Sequence, residues 1–277
     1  MQRQPDLTDR TALNRNRARA MRMAEPVVFL QEEAASSVQE RLTLVNKSFT
    51  APAVVTGWPQ IWAPVVPNAL VVADDDVLDL QERSHDLVIH AMSLHWASDP
   101  VGQLIQCRRA LKPDGLFLCI LLGGQTLHEL RAVLAESETE LTGGLSPRVA
   151  PMAEIRDLGA LLQRAGFALP VADTDSLSVS YTDLFRLMAE LRGMGEANAL
   201  AARLRRPTRR GVFLDAAQRY AAAYATDGGR ITATFELITL TGWAPDDSQP
   251  QPLRPGSAKA RLADALGTEE TELPKGN

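Results

Sequence analysis

Apolar positions along the chain change period several times, and each change marks an element. Phe29, Leu30, Ala34, Val38, Leu42 and Val45 trace one face at helical spacing, and a polar, helix-forming stretch over residues 6–22 precedes them. Two N-terminal helices are therefore expected before any strand. Ala53-Val54-Val55 and residues 69–73 read as short buried strands, punctuated by Pro52, Pro64 and Pro67. Residues 86–92 are almost wholly apolar, as in a strand covered on both faces within a parallel sheet. A helix marked by Val101, Leu104, Ile105 and Leu111 follows. Lys112-Pro113-Asp114-Gly115 supplies a turn, and residues 116–122 form the next strand. That order is a βαβ crossover, which is right-handed almost without exception.

Thr126 stands three residues before Glu129, the spacing of a capping box, so a helix is expected from there to about Leu141, stopped by Gly143-Gly144. Residues 152–165 form another helix closed by Gly166, and 167–172 return to strand. Residues 182–226 have helical character, broken at Gly193, Gly195 and Pro207. Residues 230–240 alternate as a last strand, with Ile231, Ala233, Phe235, Leu237 and Thr239 on one face. The expected organisation is N-terminal helices over 1–48, an α/β domain over 49–244 with a mostly parallel sheet and a helical lid insertion at 182–226, and an extended or disordered tail over 245–277, where prolines, glycines and polar residues dominate.

With 45% hydrophobic and 23% charged residues, the chain has a globular composition, and its formal charge of -5 offers no general attraction to nucleic acid or anionic lipid. Cys107 and Cys119 are too few for a disulfide framework or a cysteine zinc site. A reducing compartment is expected: the cytoplasm, or the matrix side of a mitochondrion. The longest apolar run, 116–122, falls far short of the roughly 20 residues a membrane helix needs. Six arginines within the first 22 residues come without an apolar segment, so no secretory signal is read there. Asp6 and Asp9 argue against a mitochondrial presequence.

Ser93-Leu94-His95-Trp96 through Asp99, followed by Leu111-Lys112-Pro113-Asp114-Gly115, resembles the fourth and fifth strand region of class I S-adenosylmethionine methyltransferases. A narrower likeness runs through Gly123-Gly124-Gln125-Thr126-Leu127-His128-Glu129-Leu130-Arg131, Gly143-Gly144-Leu145-Ser146-Pro147-Arg148, Arg164-Ala165-Gly166-Phe167 and Gly193-Met194-Gly195-Glu196. It extends to Thr241-Gly242-Trp243-Ala244-Pro245 and Arg254-Pro255-Gly256-Ser257-Ala258. Together these resemble the methyltransferase-like assembly factors of respiratory complex I, in their alphaproteobacterial form. The resemblance implies a Rossmann-like fold and a protein substrate, the quinone-proximal iron-sulfur subunit of NADH dehydrogenase. It also implies modification of an arginine, since the mitochondrial members are regarded as arginine hydroxylases. The carrier-protein methyltransferase of biotin synthesis is similar at greater distance.

Where that superfamily presents Gly-x-Gly-x-Gly after its first strand, this chain reads Val55-Thr56-Gly57-Trp58-Pro59-Gln60. One glycine remains, Trp58 is bulky and Pro59 lacks a backbone donor, so S-adenosylmethionine binding is expected to be weakened or lost. Only one strand fits between Gly57 and Asp86, so one βα unit is expected to be missing. Asp74, Asp75 and Asp76 end that strand, where an acidic residue would accept from ribose hydroxyls; a solvated acidic turn is the competing reading.

His95 and Trp96 lie just past the carboxyl end of a parallel strand, where open α/β sheets bind ligands, and are the candidate catalytic pair, unless both merely pack the strand-to-helix corner. Thr56, Gly57, Asp74, Asp75, Asp76, Met92 and Ser93 are the candidate cofactor contacts. Gly123, Gly124, Arg131 and Arg148 are the candidate substrate contacts. A 2-His-1-carboxylate iron site finds no His-x-Asp or His-x-Glu pair among His85, His90, His95 and His128, so no metal is assigned. Arg203, Arg205, Arg206, Arg209 and Arg210 read as a solvated helix junction rather than a phosphate site. Three functions remain: an enzyme modifying a protein arginine, a catalytically silent assembly chaperone on the same scaffold, and a small-molecule or carrier-protein methyltransferase.

Overall fold

The structure, a computed structural model, describes residues 6–250. The chain divides into two units, Met1–Pro245 and Asp246–Asn277. In the second, residues 246–250 are described and form a turn in which Ser248 N and Oγ donate to Asp246 Oδ1. The rest of the expected tail, with the Arg254 to Ala258 motif, lies outside the described residues.

The first unit is built on a six-stranded sheet. Helices α1 (Arg10–Met21) and α2 (Phe29–Leu44) come first, as expected from the helical spacing. Then follow β1 (Pro52–Thr56), a one-turn helix α3 (Pro59–Trp62), β2 (Leu70–Val72), β3 (His85–Ala91), α4 (Pro100–Ala110) and β4 (Leu111–Leu122). The remainder is α5 (His128–Thr142), α6 (Ile155–Ala165), β5 (Ala168–Tyr181), α7 (Leu184–Gly193), α8 (Arg210–Ala223) and β6 (Ile231–Trp243).

The strand order is β2-β1-β3-β4-β6-β5. The first four strands are parallel, and β6 inserts antiparallel between β4 and β5. The chain runs outward from β1 to β2 and then returns to the other side of β1 as β3. The sheet therefore has its switch point between the carboxyl ends of β1 and β3, where α/β sheets leave a crevice. Among the described residues no strand intervenes between Val72 and His85, as the short spacing there required.

Period-2 alternation sorts the strand side chains into two cores. Val54, Leu87, Ile89, Leu118 and Ile120 face α2, α5, α7 and α8, while Ala53, Val55, Val88, Phe117 and Cys119 face Leu104 of α4 and Leu162 of α6. Both faces are covered, which is why Leu87 to Ile89 of β3 and Leu116 to Leu122 of β4 are apolar throughout.

Five local expectations are corrected. Leu111 opens β4 instead of closing α4. Lys112 to Gly115 form no free turn but a bulge within β4, with the β3 register jumping from His85↔Leu111 to Leu87↔Leu116 and Asp114 at φ 57°. Thr126 does not cap α5. Leu127 holds that place in the left-handed region, Thr126 Oγ1 instead donates to Gly123 O and accepts from Glu236 N, and Glu129 accepts from Thr234 Oγ1. β5 also extends to Tyr181, because residues 173–180, polar apart from Leu177 and Val179, pair with β6 throughout. Met152 lies before α6 rather than inside it.

Candidate active site

Three segments meet beside the switch point. The first is the exit of β1. Thr56 Oγ1 accepts from Trp58 N at 3.0 Å and holds the turn tight. Trp58 then turns inward, buried beside Trp62 in the core, and it does not line the groove outside the strand ends. Pro59 takes the first position of α3, where a missing N–H costs no helical bond. Trp58 is thus directed away from the crevice, while Pro59 lines it.

The second segment follows β2. Asp74 is buried and its carboxylate accepts from Arg17 Nη1 at 2.8 and 3.0 Å and from Arg10 Nη1 at 3.4 Å. Burial raises the Asp74 pKa, but the Arg17 and Arg10 guanidiniums outweigh it and bring it down to about 2. Asp75 is exposed and pairs with Arg10, and Asp76 is exposed with only its backbone carbonyl engaged, by Gln106. Arg17 crosses from α1 to stand over Gly57: a Cβ on that glycine would lie 2.2 Å from Arg17 Nη1. Arg17 Nε and Nη2 are buried without a partner. A groove of about 440 Å³ runs here, lined among others by Asn14, Arg17, Thr56, Gly57, Asp74 and Asp75.

The third segment follows β3. Met92, at φ 47°, is buried in the core and its N–H donates to Ile120 O. Ser93 is buried against His90, which is itself bonded to Gln103 at 2.8 Å. Neither Met92 nor Ser93 reaches the groove. His95 and Trp96, in a short 3-10 turn, converge on a residue distant in sequence: Glu196 Oε2 accepts from Trp96 Nε1 at 2.7 Å and lies 3.4 Å from His95 Nε2.

Glu196 is placed by the end of α7. Gly195 N donates to Arg192 O and Glu196 N to Leu191 O, with Gly195 at φ 74°, the paired closing bonds of a helix ending on a left-handed glycine. Burial raises the Glu196 pKa, but the neighbouring His95, Arg17 and Trp96 together hold the carboxyl below its usual range. The residue belongs to a motif quoted from resemblance alone. Its signal in sequence was the helix-stop glycine before it.

Glu196 and Trp96 border a second hollow, about 220 Å³, under α7 and α8, walled by Leu122, Leu130, Met188 and Phe235. Gly195 packs on Arg17, whose side chain lines the groove, while the next residue lines this cavity. One turn of chain therefore separates the two hollows.

The expected substrate contacts are largely spent elsewhere. A Cβ on Gly123 would meet Ile238 at 2.4 Å, and one on Gly124 the Glu236 carboxylate at 2.1 Å, so both glycines serve packing on β6. Arg131 donates to the carbonyls of Thr126 and Ala150. Arg148 lines the cavity but forks onto Glu138 with two 2.8 Å bonds. Arg203 and Arg205 pair with Asp9, the N-cap of α1. Among the described residues no three His, Cys, Asp or Glu side chains gather as a metal-ligand set.

A family model described as a methyltransferase domain matches residues 30–119. The chain is 41% identical over 211 residues to the mitochondrial arginine-hydroxylase NDUFAF5 of Mus musculus, covering 74% of this chain and 61% of that protein. The Danio rerio counterpart is 39% identical, with 72% and 62% covered. A malonyl-[acyl-carrier protein] O-methyltransferase of Xylella fastidiosa is 34% identical, with 65% and 58% covered. The chain spans about three fifths of the length of these relatives. Among solved structures, the YcgJ protein of Bacillus subtilis shares the fold, with a TM-score of 0.51 at 11% identity, over 78% of this chain and 99% of that one. Over about three quarters of its length the chain is thus similar to the arginine-hydroxylase NDUFAF5 proteins, with a methyltransferase-domain match over residues 30–119 on a six-stranded, mostly parallel sheet.

Proposed function

We propose that the chain modifies an arginine side chain of a protein partner, the quinone-proximal iron-sulfur subunit of respiratory complex I, with S-adenosylmethionine held at the exits of β1 and β2. The observation that carries this reading is the His95-Trp96-Glu196 cluster, set between a polar groove and an apolar cavity at the carboxyl ends of the parallel strands.

The residues present suit the cofactor. Thr56 and Gly57 line the groove, Asp75 is exposed beside them for ribose hydroxyls, and the unpartnered Nε and Nη2 of Arg17, which stands over Gly57, are buried donors suited to a carboxylate. When bound, S-adenosylmethionine supplies an electrophilic methyl group. The protein's own groups do the rest. Trp96 and His95 fix the Glu196 carboxylate, and α7 and α8 wall the cavity.

The competing reading, an assembly chaperone without catalysis, draws on one observation: the Asp74 carboxylate, the group at the ribose position, is engaged by Arg17 and Arg10. Titration calorimetry with S-adenosylmethionine separates the two. Saturable heat is expected; none at millimolar ligand would leave the chaperone. Deleting the gene is expected to leave complex I incompletely assembled and its iron-sulfur subunit without the arginine modification by mass spectrometry. A normally modified subunit would end the arginine reading.

A further inference from the structure

Glu196 spends only half of its carboxylate. Its side chain is 9% exposed, Oε2 receives both Trp96 and His95, and among the described residues Oε1 takes no hydrogen bond. A carboxylate oxygen left without a donor beside a largely apolar cavity is free to take one brought by a ligand. We infer that this cavity is a guanidinium pocket. One arginine side chain of the partner lies with its methylenes against Leu122, Leu130, Met188 and Phe235 and its head group on Glu196 Oε1.

Size, wall and charge each favour that occupant. At about 220 Å³ the cavity is smaller than the roughly 300–1,000 Å³ pockets that enclose drug-sized ligands, and it suits a single side chain. Its lining is apolar with the carboxylate at one end, matching a side chain with an aliphatic stem and a charged tip. The indole of Trp96 stands beside the carboxylate, and planar guanidinium stacks on aromatic faces where a compact ammonium prefers water.

The other charged groups around the cavity do not supply the missing donor. Arg148 is forked onto Glu138, Arg17 is held on Asp74 through Nη1 and makes no hydrogen bond to Glu196, and Arg192 is exposed to solvent. His95 shares Oε2 with Trp96 and leaves Oε1 open. The inference rests on the arginine reading above and assigns its specificity to one residue, with Glu196 as a substrate-binding group.

The experiment uses the full chain and three probes: N-acetyl-arginine amide, N-acetyl-citrulline amide and N-acetyl-lysine amide, titrated by calorimetry. The arginine probe is expected to bind at least about 10-fold tighter than citrulline, its neutral isostere, and tighter than lysine. E196Q, which keeps an acceptor for Trp96, is expected to abolish that preference without lowering the melting temperature by more than a few degrees. M188W, at a half-buried wall position, is expected to block all three probes. Equal affinity for arginine and citrulline, or no saturable arginine binding, overturns the pocket whether or not E196Q folds. If the probes behave as expected but the deletion strain still carries a modified arginine, the pocket stands and the function assigned to it falls. If the probes fail while the deletion removes the modification, the function stands and the pocket falls.

Discussion

Arg17 Nη1 lies 2.8 Å from Asp74 Oδ1, both side chains are 4% exposed, and the two residues come from the first helix and the exit of the second strand. The pair ties α1 to the sheet edge and closes one wall of the groove. Removing one partner of a buried pair strands the other charge, at a cost of about 3–5 kcal/mol. Asp74→Ala is therefore expected to lose stability on that scale in denaturant titration, while the joint replacement Arg17→Met with Asp74→Leu recovers most of it. Equal losses in the single and double variants would contradict the coupling.

The same pair sets an acid limit. Asp74 has a folded pKa of about 2, below the roughly 3.9 of an unfolded aspartate, so the unfolded chain takes the proton first as pH falls. Its stabilisation is complete above about pH 4 and is lost as pH falls through 2. Asp74→Asn is expected to flatten the pH dependence of the melting temperature in that window, as followed by circular dichroism.

His90 acts at a higher pH. Burial brings its pKa down to about 4 from 6.5, despite the Gln103 contact that favours the charged ring. Between those values the unfolded chain binds a proton that the folded chain refuses, so stability falls as pH drops from 6.5 towards 4. His90→Phe is expected to remove that slope. A variant as pH-sensitive as the parent over this range would assign the slope to other groups.

Gly195→Ala tests the turn that places Glu196. Its φ of 74° disfavours any side chain, and an added Cβ would sit 3.1 Å from Trp58 and 3.2 Å from the Arg17 backbone. A loss of about 1–3 kcal/mol is expected, together with weaker binding of the arginine probe than stability alone explains. Unchanged probe binding would separate the turn from the site.

Much of the fold was legible because it obeys local rules. The 3.6-residue spacing from Phe29 to Val45 and the apolar run ahead of Met92, interrupted only by His90, define α2 and β3 with little help from context. The βαβ order of β3, α4 and β4 fixed the place of His95 at a strand's carboxyl end. Glycines at 143, 166 and 195 marked helix ends because only they adopt a left-handed backbone at low cost.

The edge strand and the site itself were decided by partners remote in sequence. Residues 173–176 are polar and become strand because β6 lies alongside them, whereas Leu177 and Val179 alternate with serines and pack on the core. Arg17 reads as one polar residue in a polar helix, yet it is turned inward because Asp74, 57 residues away, neutralises it there. Glu196 meets Trp96 across 100 residues. Charge pairing and burial act through space, and a linear pattern carries helix and strand periods but not the distances between elements that make a carboxylate, an indole and a cavity into one site.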